Sequence, residues 1–243
     1  MAKTIDLNCD IGESYGAWRM GDDAALLDIV SSANIACGFH AGDPATIDAT
    51  VAAAVTRGVA IGAHPSYPDL AGFGRRSMDI SARDIESAVL YQIAALAGFA
   101  TANGGALHHV KPHGALYNDA GKNAPLAAAI ARAVRRFDAR LILVGLPESA
   151  LIEAGKAEGL TTAGEGFCDR AYEPDGSLRA RTQRGAVFDD PKQAAAQAVM
   201  LAHSDRVRTI CIHGDTSNAP EMAQTVRNAL LDAGYSIAPP ELL

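Results

Sequence analysis

The chain has 243 residues, a size that one α/β domain fills while burying about 70% of its unfolded surface. Its 49% hydrophobic content against 5% aromatics implies a core of Ala, Val, Ile and Leu and excludes extensive disorder. Lys and Arg total 21 against 28 Asp and Glu, a formal net charge of −7, which leaves no general basic surface for nucleic acid or an anionic membrane.

In chain order, the first strand-like run covers residues 4–8 and leads into Asn8, Asp10 and Glu13, with no apolar leader before it. A helical pattern at 22–31 follows, then a strand at 33–37 that delivers His40 and Asp43. Asp43-Pro44 opens a helix at 44–57, with Gly58 just past its end, so Asp43 reads as a cap. The strand at 59–63 ends at His64, and the Gly-rich stretch Leu70-Ala-Gly-Phe-Gly-Arg75-Arg76 reads either as an anion-binding loop or as solvated charge. A helix at 81–103, stopped by Gly104, leads to a strand at 107–111 that ends in Lys111-Pro-His113-Gly114. On that strand His108 and His109 alternate across the pleat, one toward the barrel and the other toward the helices, and His108 is the core candidate.

A helix at 124–137, a strand at 141–144, a helix at 148–158 and a strand at 160–163 come next, after which lie Glu165, Asp169 and Arg170. Asp190-Pro191 opens a helix at 191–203, whose final His203 suits the negative helix end. The last strand, 209–213, delivers His213 and Asp215 before a helix at 220–233. Seven strands alternating with helices predict a parallel sheet covered on its faces, read as a single distorted or incomplete (β/α) barrel domain over 1–243, with an open doubly wound sheet as the alternative. Because the polar residues sit at strand C-terminal ends, they are expected to meet in one pocket. Cys9, Cys37, Cys168 and Cys211 are scattered without a C-x-x-C pair, and no run approaches the roughly 18 apolar residues of a membrane span, so the expected location is the cytoplasm, with reduced thiols. Walker A, H-E-x-x-H and G-x-S-x-G motifs are absent.

The segments LNCDIGE (7–13), ANIACGFHAGDP (33–44), GAHPSYPD (62–69), GFGRR (72–76), VKPHGALYN (110–118), EGFCDRAY (165–172) and IHGD (212–215) resemble the LamB/YcsF family, the A subunits of bacterial 5-oxoprolinase. The resemblance implies a seven-stranded barrel similar to the glycoside hydrolase and polysaccharide deacetylase barrels. It also implies ATP-dependent hydrolysis of 5-oxoproline to glutamate, with B and C subunits as partners. Such chemistry needs cations for phosphate and carboxylate, an acid, a base, and Mg²⁺ with the ATP. The expected catalytic set is Asp10, His40, His64, Lys111, His113 and Asp215, with Asp10, Asp215 and His113 moving protons. Asn8, Glu13, Arg75, Arg76, Glu165, Arg170 and His213 are expected to bind substrate or phosphate, although Asn8 can also simply hold backbone groups. Lys111 and Arg170 are the cations assigned to the anionic groups. Two other readings stand beside this one: a metal-dependent amidase or deacetylase using Asp10, His40 and His64, and a silent carrier that binds substrate for its partners.

Overall fold

The computed structural model describes residues 3–213 and 218–241, so the expected catalytic Asp215 lies outside the described residues. The chain runs β1 (Lys3–Ile11), α1 (Asp23–Leu27), β2 (Ser32–Ala36), α2 (Pro44–Arg57), β3 (Ala60–His64), α3 (Ala82–Ala102), β4 (Leu107–Val110), α4 (Gly114–Ala120) and α5 (Ala124–Phe137). It continues through β5 (Ile142–Gly145), α6 (Ala150–Ala157), β6 (Thr162–Phe167), α7 (Pro191–Ala202), β7 (Thr209–His213), α8 (Ala219–Asp232) and β8 (Tyr235–Ile237). All the strand pairings are parallel, and β1 to β7 close into a barrel because β1 pairs with both β2 and β7. Short β8 adds to the N-terminal end of β1, beyond the reach of β7.

Alternation along β1 shows how the barrel is filled. Ile5, Leu7, Cys9 and Ile11 face outward and join the main core between barrel and helices, with Leu26, Ile35, Val226 and Leu230. Asp6, Asn8 and Asp10 face inward, where two small apolar clusters stand apart from the main core, Ile142 with Val144 and Ala163, and Phe167 with Tyr117 and Cys211. The barrel interior is therefore largely polar, and Asp6, Asn8 and Asp10 are each hydrogen-bonded to side chains of neighbouring strands and loops, as burial demands.

The helix starts follow capping chemistry: Asp43 accepts from the amides of Ala45 and Thr46, and Asp190 from that of Lys192, each before a proline. Sequence patterning misplaced one strand and missed two elements. Strand β6 lies further along than residues 160–163 because Gly164 and Gly166 hide it: a side chain at 164 would strike the Arg206 carbonyl, and one at 166 would press on Leu201. Glu165 is thus inside the strand, not after it. Helix α4 follows directly on the Pro112-His113-Gly114 turn, and β8 is too short to show a pattern. Helix α3 is long and apolar enough to pass for a membrane span by length and composition, contrary to expectation. In this fold it lays Ile85, Val89, Ile93, Leu96 and Ala100 into the core. All four cysteines are buried and unpaired, as expected.

Candidate active site

A cavity of about 1220 Å³ opens at the C-terminal end of the barrel, lined by Asp10, Glu13, His64, Lys111, His113, Glu165, Arg170 and His213 among others. Its floor is an ion cluster. Lys111, extending from β4, places Nζ 2.8 Å from Asp10 Oδ1, 2.8 Å from Glu165 Oε1 and 3.1 Å from Cys211 Sγ. Burial alone would lower its pKa, but the Asp10 and Glu165 carboxylates hold it well above the ordinary lysine value. In return, burial would raise the Asp10 carboxyl, yet above all the Lys111 ammonium holds it well below the usual carboxylate range. Lys111 therefore neutralises two buried carboxylates, and its expected role as the cation for a substrate anion does not fit.

Below this cluster, Asn8 Nδ2 donates to Glu165 Oε1 and Thr209 Oγ1, and Asn34 Nδ2 donates to Asn8 Oδ1 and Asp10 Oδ1. His109 Nε2–H donates to Asn34 Oδ1 at 2.8 Å, so His109, not His108, is the buried histidine of that strand. Asn8 thus sits beneath the floor and binds protein side chains, which removes it from the substrate set. Arg170 lines the cavity but donates to the Ala186 and Arg179 carbonyls, holding the 171–187 excursion that forms one wall. Arg76 clamps Asp69 and does not line the cavity, which removes it from the phosphate set. Arg75 does line it, over the Phe73 ring.

On one side of Asp10 stands a dyad. His213 Nδ1 donates to Asp169 Oδ2 at 2.8 Å, and the His213 amide donates to the same oxygen. Burial would raise the Asp169 carboxyl, but His213 keeps it below the ordinary value. This leaves Nε2 of His213 as the nitrogen that can exchange a proton, in a ring stacked near Phe167. On the other side of Asp10 lie three histidines, with His64 Nε2 3.4 Å from Asp10 Oδ2. His40 stacks on His113 at 3.8 Å, and His64 meets His113 edge-on. Of the metal candidates, His40 and His64 fall together with Glu13 and His113, whereas Asp10 Oδ1 is already engaged by Lys111 and Asn34.

The Gly72–Arg76 segment is a support for these histidines. Phe73 holds φ at +54° and its carbonyl accepts from His113 Nε2 at 2.9 Å. Gly74 holds φ at +62°, and a Cβ there would strike Ser66 Oγ and crowd His113 and His40. The reading of this segment as an anion-binding loop is thereby narrowed to Arg75.

Sequence reasoning named Asp169 without assigning it a role, and it passed over Tyr117 and Cys211 as site residues. Tyr117 lies on the undetected α4, and Cys211 was read only as a buried thiol; its spacing of two from His213 places both on one face of β7.

The chain matches the profile of the LamB/YcsF family over residues 5–242. It belongs to the LamB/YcsF family. Within and around that family, it is 54% identical over 250 residues to the 5-oxoprolinase A subunit of Methylococcus capsulatus, covering 98% of this chain and 96% of that one. The crystal structure of a lactam utilization protein from Thermus thermophilus superposes with a TM-score of 0.91 at 45% identity, covering 97% of this chain and 99% of that one. A family 4 carbohydrate esterase from Streptomyces lividans shares the barrel, with a TM-score of 0.56 at 13% identity over 98% of this chain and 93% of its own, a likeness of fold alone.

Proposed function

We propose that this LamB/YcsF chain is the subunit of a 5-oxoprolinase in which the lactam of 5-oxo-L-proline is opened to L-glutamate, in a reaction coupled to ATP and completed by B and C subunits. The observation that carries the reading is the Asp169–His213 dyad beside the ionised Asp10 at the cavity floor, in a chain aligned end to end with 5-oxoprolinase A subunits.

An unstrained lactam is protected by amide resonance. Transfer of the ATP γ-phosphoryl group to the lactam oxygen removes that protection and releases ADP, with Mg²⁺ accompanying the nucleotide. Water then adds to the activated carbon and gives up a proton to a base at the floor, for which Asp10 is placed. The C–N bond breaks as His213 supplies a proton to the nitrogen, and a second water hydrolyses the remaining acyl phosphate to carboxylate and phosphate. Room for more than the lactam supports the coupling: the cavity exceeds the roughly 300–1,000 Å³ of ordinary small-molecule sites. Arg75, Lys122 and Arg181 line it as cations suited to phosphate oxygens.

The test is reconstitution with the B and C subunits and an assay of glutamate release with and without ATP. ATP-dependent release that falls away when this subunit carries His213→Ala is expected; release that is undiminished by that change would remove the dyad from the reaction. The histidine cluster favours a second reading, a metal-dependent amidase or deacetylase for a small amide. Chelator-sensitive release that needs no ATP would select it.

A further inference from the structure

The three clustered histidines are held in a way that a proton-transfer role does not require. His64 Nδ1 lies 2.7 Å from the Lys111 carbonyl oxygen, which can only accept, so Nδ1 carries the proton and Nε2 a lone pair. His113 Nε2 lies 2.9 Å from the Phe73 carbonyl oxygen, so by the same logic Nδ1 carries its lone pair. These two nitrogens face each other at 3.0 Å. Two lone pairs at that distance repel unless a cation sits between or beside them.

The remaining donors surround the same point. Glu13 Oε1 is 3.7 Å from His113 Nδ1 and 3.5 Å from His40 Nε2, and His40 is almost fully buried with neither ring nitrogen in a hydrogen bond. One donor atom from each of the four residues lies within 4.8 Å of every other. Tetrahedral Zn²⁺ with ligands at about 2.0–2.1 Å has neighbouring ligand atoms roughly 3.3 Å apart, near the 3.0, 3.5 and 3.7 Å between His64 and His113, His40 and Glu13, and His113 and Glu13. Backbone carbonyls on the far nitrogens of two histidines are the outer partners that fix imidazole ligands toward a metal.

We infer that Glu13, His40, His64 and His113 form a site for one divalent transition-metal ion, Zn²⁺ or an ion of similar preference. Three imidazoles and one carboxylate suit such an ion and not Mg²⁺, which takes oxygen ligands, so this ion is distinct from any that accompanies ATP. Glu13, His64 and His113 also line the cavity, which gives the ion a route in and a face toward bound substrate. The site does not depend on which amide is cleaved.

Titration of the metal-stripped protein with Co²⁺, followed by its visible absorption and by calorimetry, tests the inference without any activity assay. Binding of one equivalent is expected, with the bands of a four- or five-coordinate N/O site, displacement by Zn²⁺ and no competition from millimolar Mg²⁺. His113→Ala and Glu13→Gln should each weaken binding at least about 100-fold, while His203→Ala, at an exposed helix end remote from the cluster, should leave it unchanged. X-ray absorption on the Zn²⁺-loaded wild type gives an independent reading, with imidazole scattering and no sulfur. Absence of binding in the wild type would overturn the inference and leave a shared proton between His64 and His113. Unchanged affinity in the variants, or sulfur in the metal shell, would overturn it equally. Loss of ATP-dependent glutamate release with metal binding intact would instead count against the proposed reaction.

Discussion

Lys111 and Asp169 show how a residue's role depends on what lies opposite it. A lysine at a strand end beside Pro112 and His113 reads as a cation reaching for substrate, but its ammonium lies between Asp10 and Glu165 at 2.8 Å from each. Lys111→Met keeps the stem and strands two buried carboxylates, a loss of about 3–5 kcal/mol. Urea unfolding should show that loss directly; an unchanged midpoint would return Lys111 to the substrate-binding residues. Asp169→Asn makes the opposite kind of change. It leaves the packing in place but weakens the hold on the His213 tautomer, so kcat should fall roughly 10²- to 10⁴-fold with KM and unfolding midpoint little altered. A loss confined to KM would make Asp169 a binding residue.

The ends of five strands supply the site, and two loops and strand β1 show how its parts are held. The Gly72–Arg76 segment presses against the Pro112–Gly114 turn: Ala115 N donates to the Gly74 carbonyl, and a Cβ on Gly114 would lie 2.6 Å from that same oxygen. Gly74→Ala places a side chain at positive φ against Ser66 and His113, costing about 1–3 kcal/mol and turning His113 from its position. A lowered melting temperature together with weakened Co²⁺ binding is the expected pair of results; a normal melt with normal binding would show that the loop relaxes without consequence. Strand β1 works through its period of two, because the alternation that builds the outer core from Ile5, Leu7 and Cys9 also aligns Asp6, Asn8 and Asp10 inside. That inner column was half legible, since polar residues at every second position were visible but their partners on β2, β4, β6 and β7 were not.

At the scale of the molecule, the polar barrel interior links stability to pH. Asp6 accepts hydrogen bonds from Ser31, Ser32 and Thr209 at the end of the barrel away from the cavity. Burial, only partly offset by these donors and reinforced by the Glu165 charge, pushes its carboxyl from 3.8 up to about 6. A raised folded-state pKa means that the protonated form is favoured by folding. The contribution is fully present below about pH 4 and is lost as pH rises through about 6, the loss reaching about 3 kcal/mol at neutral pH. Between pH 4.5 and 7 the wild type should therefore lose about 2 kcal/mol more unfolding free energy than Asp6→Asn. Parallel pH profiles for the two proteins would show that Asp6 ionises normally within the barrel.

By itself the sequence determined the parallel α/β alternation, the helix caps at Asp43 and Asp190, and the gathering of polar residues at strand ends, because these follow from local periodicity, capping and the path of crossover connections. Its motifs also determined the family. Tertiary structure alone decided that β1 closes the barrel against β7, that Lys111 serves Asp10 and Glu165, that Arg76 belongs to Asp69, and that His113 completes a cluster with Glu13, His40 and His64. Each of these is a pairing across the chain, from Arg76 and Asp69 seven residues apart to Asp6 and Thr209 on β1 and β7 separated by 203. Periodicity reports which way a side chain points, and only the closed barrel brings it to a particular partner.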